Sequence, residues 1–151
     1  MMKGTMLAAL TGKNDKFACE LTGKIIQESR ESEEWYDYFQ DFVPLLRHPK
    51  SLVRNRALTI LASNDQWDTE NCFDQLLPEY LSHITDEKPI TARVCIQTLP
   101  ELAQAKPQYI PAILRALEEA ELSKYKDSMR PLIQRDLIET EKLLEAAFCE
   151  T

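Results

Sequence analysis

The stretch Leu76-Leu77-Pro78-Glu79-Tyr80-Leu81 is matched upstream by Phe42-Val43-Pro44-Leu45-Leu46 and downstream by Tyr109-Ile110-Pro111-Ala112-Ile113-Leu114. The three prolines are 34 and 33 residues apart. Each stands inside an apolar pattern of helical period, where proline removes a backbone hydrogen bond and bends the helix. One such proline would be incidental, but three in register indicate a repeated unit. A polar connection follows each stretch and leads into a second amphipathic helix. His48-Pro49-Lys50-Ser51 precedes Leu52-Val53-Arg54-Asn55-Arg56-Ala57, and Asp86-Glu87-Lys88-Pro89 precedes Ile90-Thr91-Ala92-Arg93. The third connection, Glu118 to Lys126, is longer.

Working outward, the pattern gives eight helices in four antiparallel pairs. They are Lys3–Thr11, Asp15–Ser29, Ser32 or Glu33 to Arg47, Ser51–Ser63, Asp68–Ile84, Pro89–Lys106, Pro107–Leu122, and Asp127 or Ser128 to Phe148. The starts rest on Ser and Asp at caps and on prolines in first turns. Ile110, Ile113, Leu114 and Leu117 fall at i, i+3, i+4 and i+7, the apolar stripe of a half-buried helix. Leu45, Leu61, Leu81, Leu99 and Leu114 are expected in a continuous core between the pairs. No segment alternates with period two for long enough to propose a strand, so the fold is expected to be all-α.

Composition narrows the function. A chain of 151 residues with 44% hydrophobic and 28% charged residues suits one globular domain that needs no disulfide or metal to hold it. The three glycines, Gly4, Gly12 and Gly23, all lie near the N-terminus. Glycine-rich phosphate loops and tight hairpin turns are thereby nearly excluded. Cys19, Cys72, Cys95 and Cys149 form no Cys-x-x-Cys pair and do not approach His48 or His83 at ligand spacing, so no metal and no cofactor is expected. Cys19 and Cys95 lie in apolar helical stretches, and the scattered thiols read as small buried hydrophobes in a reducing, cytoplasmic setting. The only early apolar run, Met6 to Leu10, is too short for a secretory leader, and no run is long enough to span a membrane. A net charge of −7 argues against general nucleic-acid binding.

The proline-bearing first helix, the short turn and the start Val53-Arg54-Asn55-Arg56-Ala57 resemble the HEAT repeat. Ala92-Arg93 with Ile96 matches that start loosely, and the fourth pair offers only Arg130. The resemblance covers about Ser32 to Leu144 and implies a right-handed α-α superhelix, a solenoid of about four pairs. The tetratricopeptide repeat has a similar period, but its Trp and Leu-Gly positions are missing here. Trp67-Asp68, Asp86-Glu87-Lys88-Pro89 and Leu122 to Met129 also look like small bacterial HEAT-like proteins of this length, some carrying a SufBD-like label.

No nucleophile, base or metal motif converges anywhere, and the chain is expected not to be an enzyme. His48 sits in a turn and His83 near a helix end. Asp37 with Asp41, and Glu141 with Glu145, read as solvated helix faces. Trp35, Tyr38, Phe39 and Phe42 share one helical face, to be read as packing or as an aromatic anchor for a partner peptide. The expected function is a protein-interaction scaffold or adaptor. Alternatives are a nucleic-acid-binding or base-repair protein, since HEAT-like folds also occur in DNA glycosylases, and an adaptor in iron–sulfur assembly. Charge divides between the helices of each pair. First-helix segments 31–50, 66–87 and 107–123 carry three basic and fourteen acidic residues; second-helix segments 51–65, 88–106 and 124–135 carry nine basic and three acidic. In HEAT-like stacks the second helices line the concave side. Arg54, Arg56, Arg93, Lys124, Lys126, Arg130 and Arg135 are therefore the candidate contacts for an acidic segment of another protein.

Overall fold

The structure, a computed structural model, describes the backbone of residues 2–150 and the side chains of residues 2–147. Eight α-helices follow one another: α1 Lys3–Thr11, α2 Asp15–Glu31, α3 Phe39–Phe42, α4 Ser51–Asn64, α5 Phe73–Ser82, α6 Pro89–Ala105, α7 Ile110–Glu118 and α8 Arg130–Glu150. No strand occurs among the described residues.

Local chemistry accounts for the boundaries. Asn14 caps α2, its side chain accepting the N–H of Phe17 at 3.0 Å. Pro89 opens α6, where its missing N–H costs nothing. The three aligned prolines do not share one role. Pro78 lies inside α5, Pro111 falls in the first turn of α7, and Pro44 lies in a 3-10 segment, Val43–Arg47. A second 3-10 segment, Glu34–Tyr38, precedes α3, so the expected third helix is mostly tightly wound. Asp68 does not begin a helix directly. It opens a turn in which Asn71 takes φ 59°, and its carboxylate accepts the N–H groups of Cys72 and Phe73 at 3.0 and 2.7 Å, ahead of α5.

The even-numbered helices pack side by side in order, α2 on α4, α4 on α6 and α6 on α8. The odd-numbered helices are joined through aromatic rings: Phe39 to Phe73 at 5.9 Å and Phe73 to Tyr109 at 6.1 Å between centroids. One contiguous apolar core lies between them. Two residues after each aligned proline stand Leu46, Tyr80 and Ile113, all buried. Leu61 and Leu99 are fully buried as expected, whereas Leu45, Leu81 and Leu114 are only partly covered. The residue two after each proline, not the neighbouring leucine, is therefore the one turned to the core, in the 3-10 segment and in α5 and α7 alike.

Polar side chains tie each pair to the next at the repeat interval. Tyr36–Asp68, Arg47–Glu79 and Arg54–Asp86 each span 32 residues, and Asp15–Lys50 and Ser29–Asn64 span 35. Asp15 and Lys50 are at the starts of α2 and α4, while Ser29 and Asn64 are at their ends. These helices therefore run parallel.

Candidate interaction face

The seven basic residues named from sequence do not form one exposed patch. Arg54 is buried at the start of α4. Its Nε and Nη2 donate to Asp86 at 3.1 and 2.9 Å, and its Nη1 donates to the carbonyls of His48 and Pro49. Arg56 is also buried, donating to the Leu10 carbonyl at 2.7 Å and to Asp15 at 3.1 Å. Arg93 bridges α6 to α8 through Asp136 at 2.7 Å. Lys124 donates to the Thr85 carbonyl, and Arg130 donates to the Tyr125 carbonyl and pairs with Asp127. Lys126 and Arg135 are exposed. A partner could not meet Arg54 without opening the stack, and Arg56 is already held by Leu10 and Asp15 with little of its side chain exposed. The Arg-rich starts of these helices are spent on turns and on neighbouring pairs.

Asp86 is the hub of one junction. His83 Nδ1 lies 2.8 Å from its Oδ1, and because an ionised carboxylate only accepts, the imidazole donates. The Lys88 N–H also donates to it, and its backbone carbonyl accepts the Tyr125 hydroxyl at 2.5 Å. Burial alone would raise the Asp86 carboxyl, but hydrogen bonds from His83, Arg54 and Lys88 outweigh it and hold the group well below the usual range. Burial pushes the Tyr125 hydroxyl up to about 12.

A second junction, between the other ends of the pairs, escaped sequence reading. Lys106 is buried with Nζ 3.0 Å from Asp65 Oδ1 and bonded to Asp68 Oδ2, over the rings of Phe73 and Tyr109. The Tyr36 hydroxyl donates to the other oxygen of Asp68, and the Tyr109 hydroxyl to Asp74. Burial raises both tyrosines and the acceptor carboxylates raise them further. The two carboxylates facing Lys106 differ. Burial would raise Asp68, yet Lys106, Tyr36 and the Phe73 N–H lower it on balance. Asp65 has a close cation but no well-aligned donor on either oxygen, and burial pushes it up to about 6. Lys106 itself is raised, since the two aspartates outweigh its desolvation.

The aromatic group is absorbed by packing: Phe39 and Phe42 are buried, and Trp35 donates to Glu28 at 3.3 Å. Trp67 staples its turn to α2 through the Ser29 carbonyl at 2.6 Å.

What the even-numbered helices leave open is a trough along α4. Leu52, Asn55 and Thr59 of α4 line it together with Cys19, Gly23 and Ile26 of α2 and Val94 of α6, and the ion pair of Asp15 and Arg56 also borders it. This groove has a volume of about 460 Å³. Leu52 is 41% exposed, and Ile90, a turn before Val94, is 53% exposed. Farther along, Arg30 of α2 reaches Glu101 of α6 at 3.8 Å beside Ala62 and Gln66, closing the far end. Gly23 lies in the interior of α2, where glycine costs about 1 kcal/mol relative to alanine. A Cβ placed there would meet nothing within 4 Å, so packing does not demand the glycine.

Among the described residues no three His, Cys, Asp or Glu side chains are grouped to hold a metal ion, and no helix is long and apolar enough to cross a membrane. No family model, no curated protein and no solved structure matches this chain.

Proposed function

We propose that the protein is a non-enzymatic interaction scaffold: a HEAT-like, right-handed superhelical stack whose second-helix face receives a segment of another protein. The observation that carries this reading is the trough between α2, α4 and α6, a mostly apolar surface bordered by the Asp15–Arg56 ion pair. Stacked pairs bury their cores against their neighbours and leave such a face free for a partner. The polar clusters are consumed as inter-pair ties, which favours a binding role over catalysis. The pairing of Arg54, Arg56 and Arg93 with Asp86, Asp15 and Asp136 leaves no continuous basic stripe, which favours a protein partner over a nucleic acid. Cys95 is buried as its apolar stretch suggests, whereas Cys19 and Cys72 are exposed rather than buried; free thiols at these positions fit a reducing cytoplasm.

Hydrogen-exchange footprinting of the protein with a co-purifying partner tests the reading. New protection is expected on α2, α4 and α6. Protection confined to α1, α5 and α7 would reject the second-helix face.

A further inference from the structure

We propose that the two ends of the stack fit each other, so that the open face of the last helix pair receives the first pair of a second copy, head to tail. This contact is separate from the trough and does not depend on what the trough holds.

Within the row α2, α4, α6, α8 the two end helices have a row neighbour on one side only. Stacked repeats need terminal pairs with polar outer faces to stay apart. Here each end keeps an apolar side chain in the open: Phe17 of α2 is 45% exposed and Ile138 of α8 is 46% exposed. Ile138 belongs to a groove of about 710 Å³ between α8 and the turn after α7, with Leu117, Leu122 and Leu137 as its other apolar lining.

The charges of the two ends are opposite. Glu118, Glu121 and Glu141 line the groove, and none of them is in an ion pair among the described residues. The one cation in the lining, Arg130, is already held by the Tyr125 carbonyl and Asp127. Around Phe17 the balance is reversed. Lys13, Lys16 and Lys24 are exposed and in no ion pair among the described residues, against the single free acid Glu20, since Asp15 is taken by Lys50 and Arg56.

The chain itself shows what a junction of this kind uses. The turn before α4 supplies Lys50, which reaches back to Asp15 of the first pair. The turn before α8 supplies Lys124, which reaches back to the Thr85 carbonyl of the third pair. Lys13 holds the same place in the turn before α2, with no earlier pair in the chain to meet. Glu118 and Glu121 border the turn of the fourth pair, with no later pair to meet them. Lys13 of one copy against Glu118 and Glu121 of another repeats the device, while Phe17 enters the apolar groove. Such a contact joins two different faces, so it propagates into a filament or closes into a ring.

The test is sedimentation velocity of the full chain over a concentration series, with one variant for each end. Phe17→Glu and Ile138→Lys each set a like charge against the face it would meet. Both sites are exposed, so circular dichroism and thermal melts are expected to match wild type. The wild type is expected to sediment faster as concentration rises, past the size of a dimer, and to do so less as salt is raised. Each variant alone is expected to associate at least about tenfold more weakly. Mixed in equal amounts, the two variants hold one intact head and one intact tail between them, so a dimer of one each is expected and nothing larger. A wild type that stays monomeric up to about 1 mM overturns the proposal. If a Lys-bearing amphipathic peptide then binds wild type but not Ile138→Lys, the groove belongs to another protein. A closed dimer that Ile138→Lys abolishes and Phe17→Glu leaves intact overturns the proposal in favour of α8 against α8. A mixture of the variants that restores no dimer rejects the head-to-tail contact. Each of these failures leaves the scaffold reading of the trough standing.

Discussion

Arg54 and Asp86, 32 residues apart, form a two-pronged buried ion pair that joins the start of α4 to the turn before α6. Arg54→Met removes the cation and leaves a desolvated carboxylate behind, a loss of about 3–5 kcal/mol. Because the native Asp86 carboxyl is depressed, the pair stabilises above the ordinary carboxylate pKa, and that contribution disappears as pH falls through the native value. Urea midpoints followed from neutral to acid pH should therefore show the variant losing its remaining Asp86 contribution at higher pH than wild type.

Asp65 has the opposite sign. Its carboxyl is raised from 3.8 to about 6, so the fold disfavours its charged form. Stability is highest below the unfolded value and declines as pH rises towards 6. Asp65→Asn is expected to be more stable than wild type at pH 7, by about 1–3 kcal/mol, with the difference vanishing near pH 4. Thermal melts at both pH values check this; a destabilised variant at pH 7 would refute it.

Leu46 and Leu45 are adjacent but unequally buried. Leu46→Ala and Leu61→Ala are expected to cost about 2–5 kcal/mol each, and Leu45→Ala clearly less. Equal losses in chemical denaturation would contradict the inward turn of Leu46.

The thiols should separate by reactivity. Cys95 is buried and burial raises it well above the ordinary thiol range, while Cys19 and Cys72 are exposed. Timed alkylation with peptide mapping should label Cys19 and Cys72 first, and Cys95 only on unfolding. The side chain of Cys149 lies outside the described residues.

Helix identities were legible because their signals are local. Asn14, Pro89 and the i, i+3, i+4 stripes act within a turn or two. Leu45, Leu81 and Leu114 border broad apolar stripes, and such stripes do not tell which of two adjacent apolar residues faces the core: it is Leu46, Tyr80 and Ile113. Charge was harder to read. Arg54 and Arg56 stand in a string of polar residues that resembles an exposed face, and only the neighbouring pair, supplying Asp86 and Asp15, shows that they point inward. Lys106 has the same history, since its two carboxylates lie 38 and 41 residues upstream. The trough was invisible because Cys19, Leu52 and Val94 come from three helices, and no spacing in the chain announces their meeting.

Arg30 and Glu101 stand on helices separated by α4, yet their side chains touch at 3.8 Å, 63% and 34% exposed. The other polar ties described here link adjoining pairs. The Arg30–Glu101 contact is instead a clasp that reaches over the neighbouring helix, and being exposed it is weak enough for salt to screen.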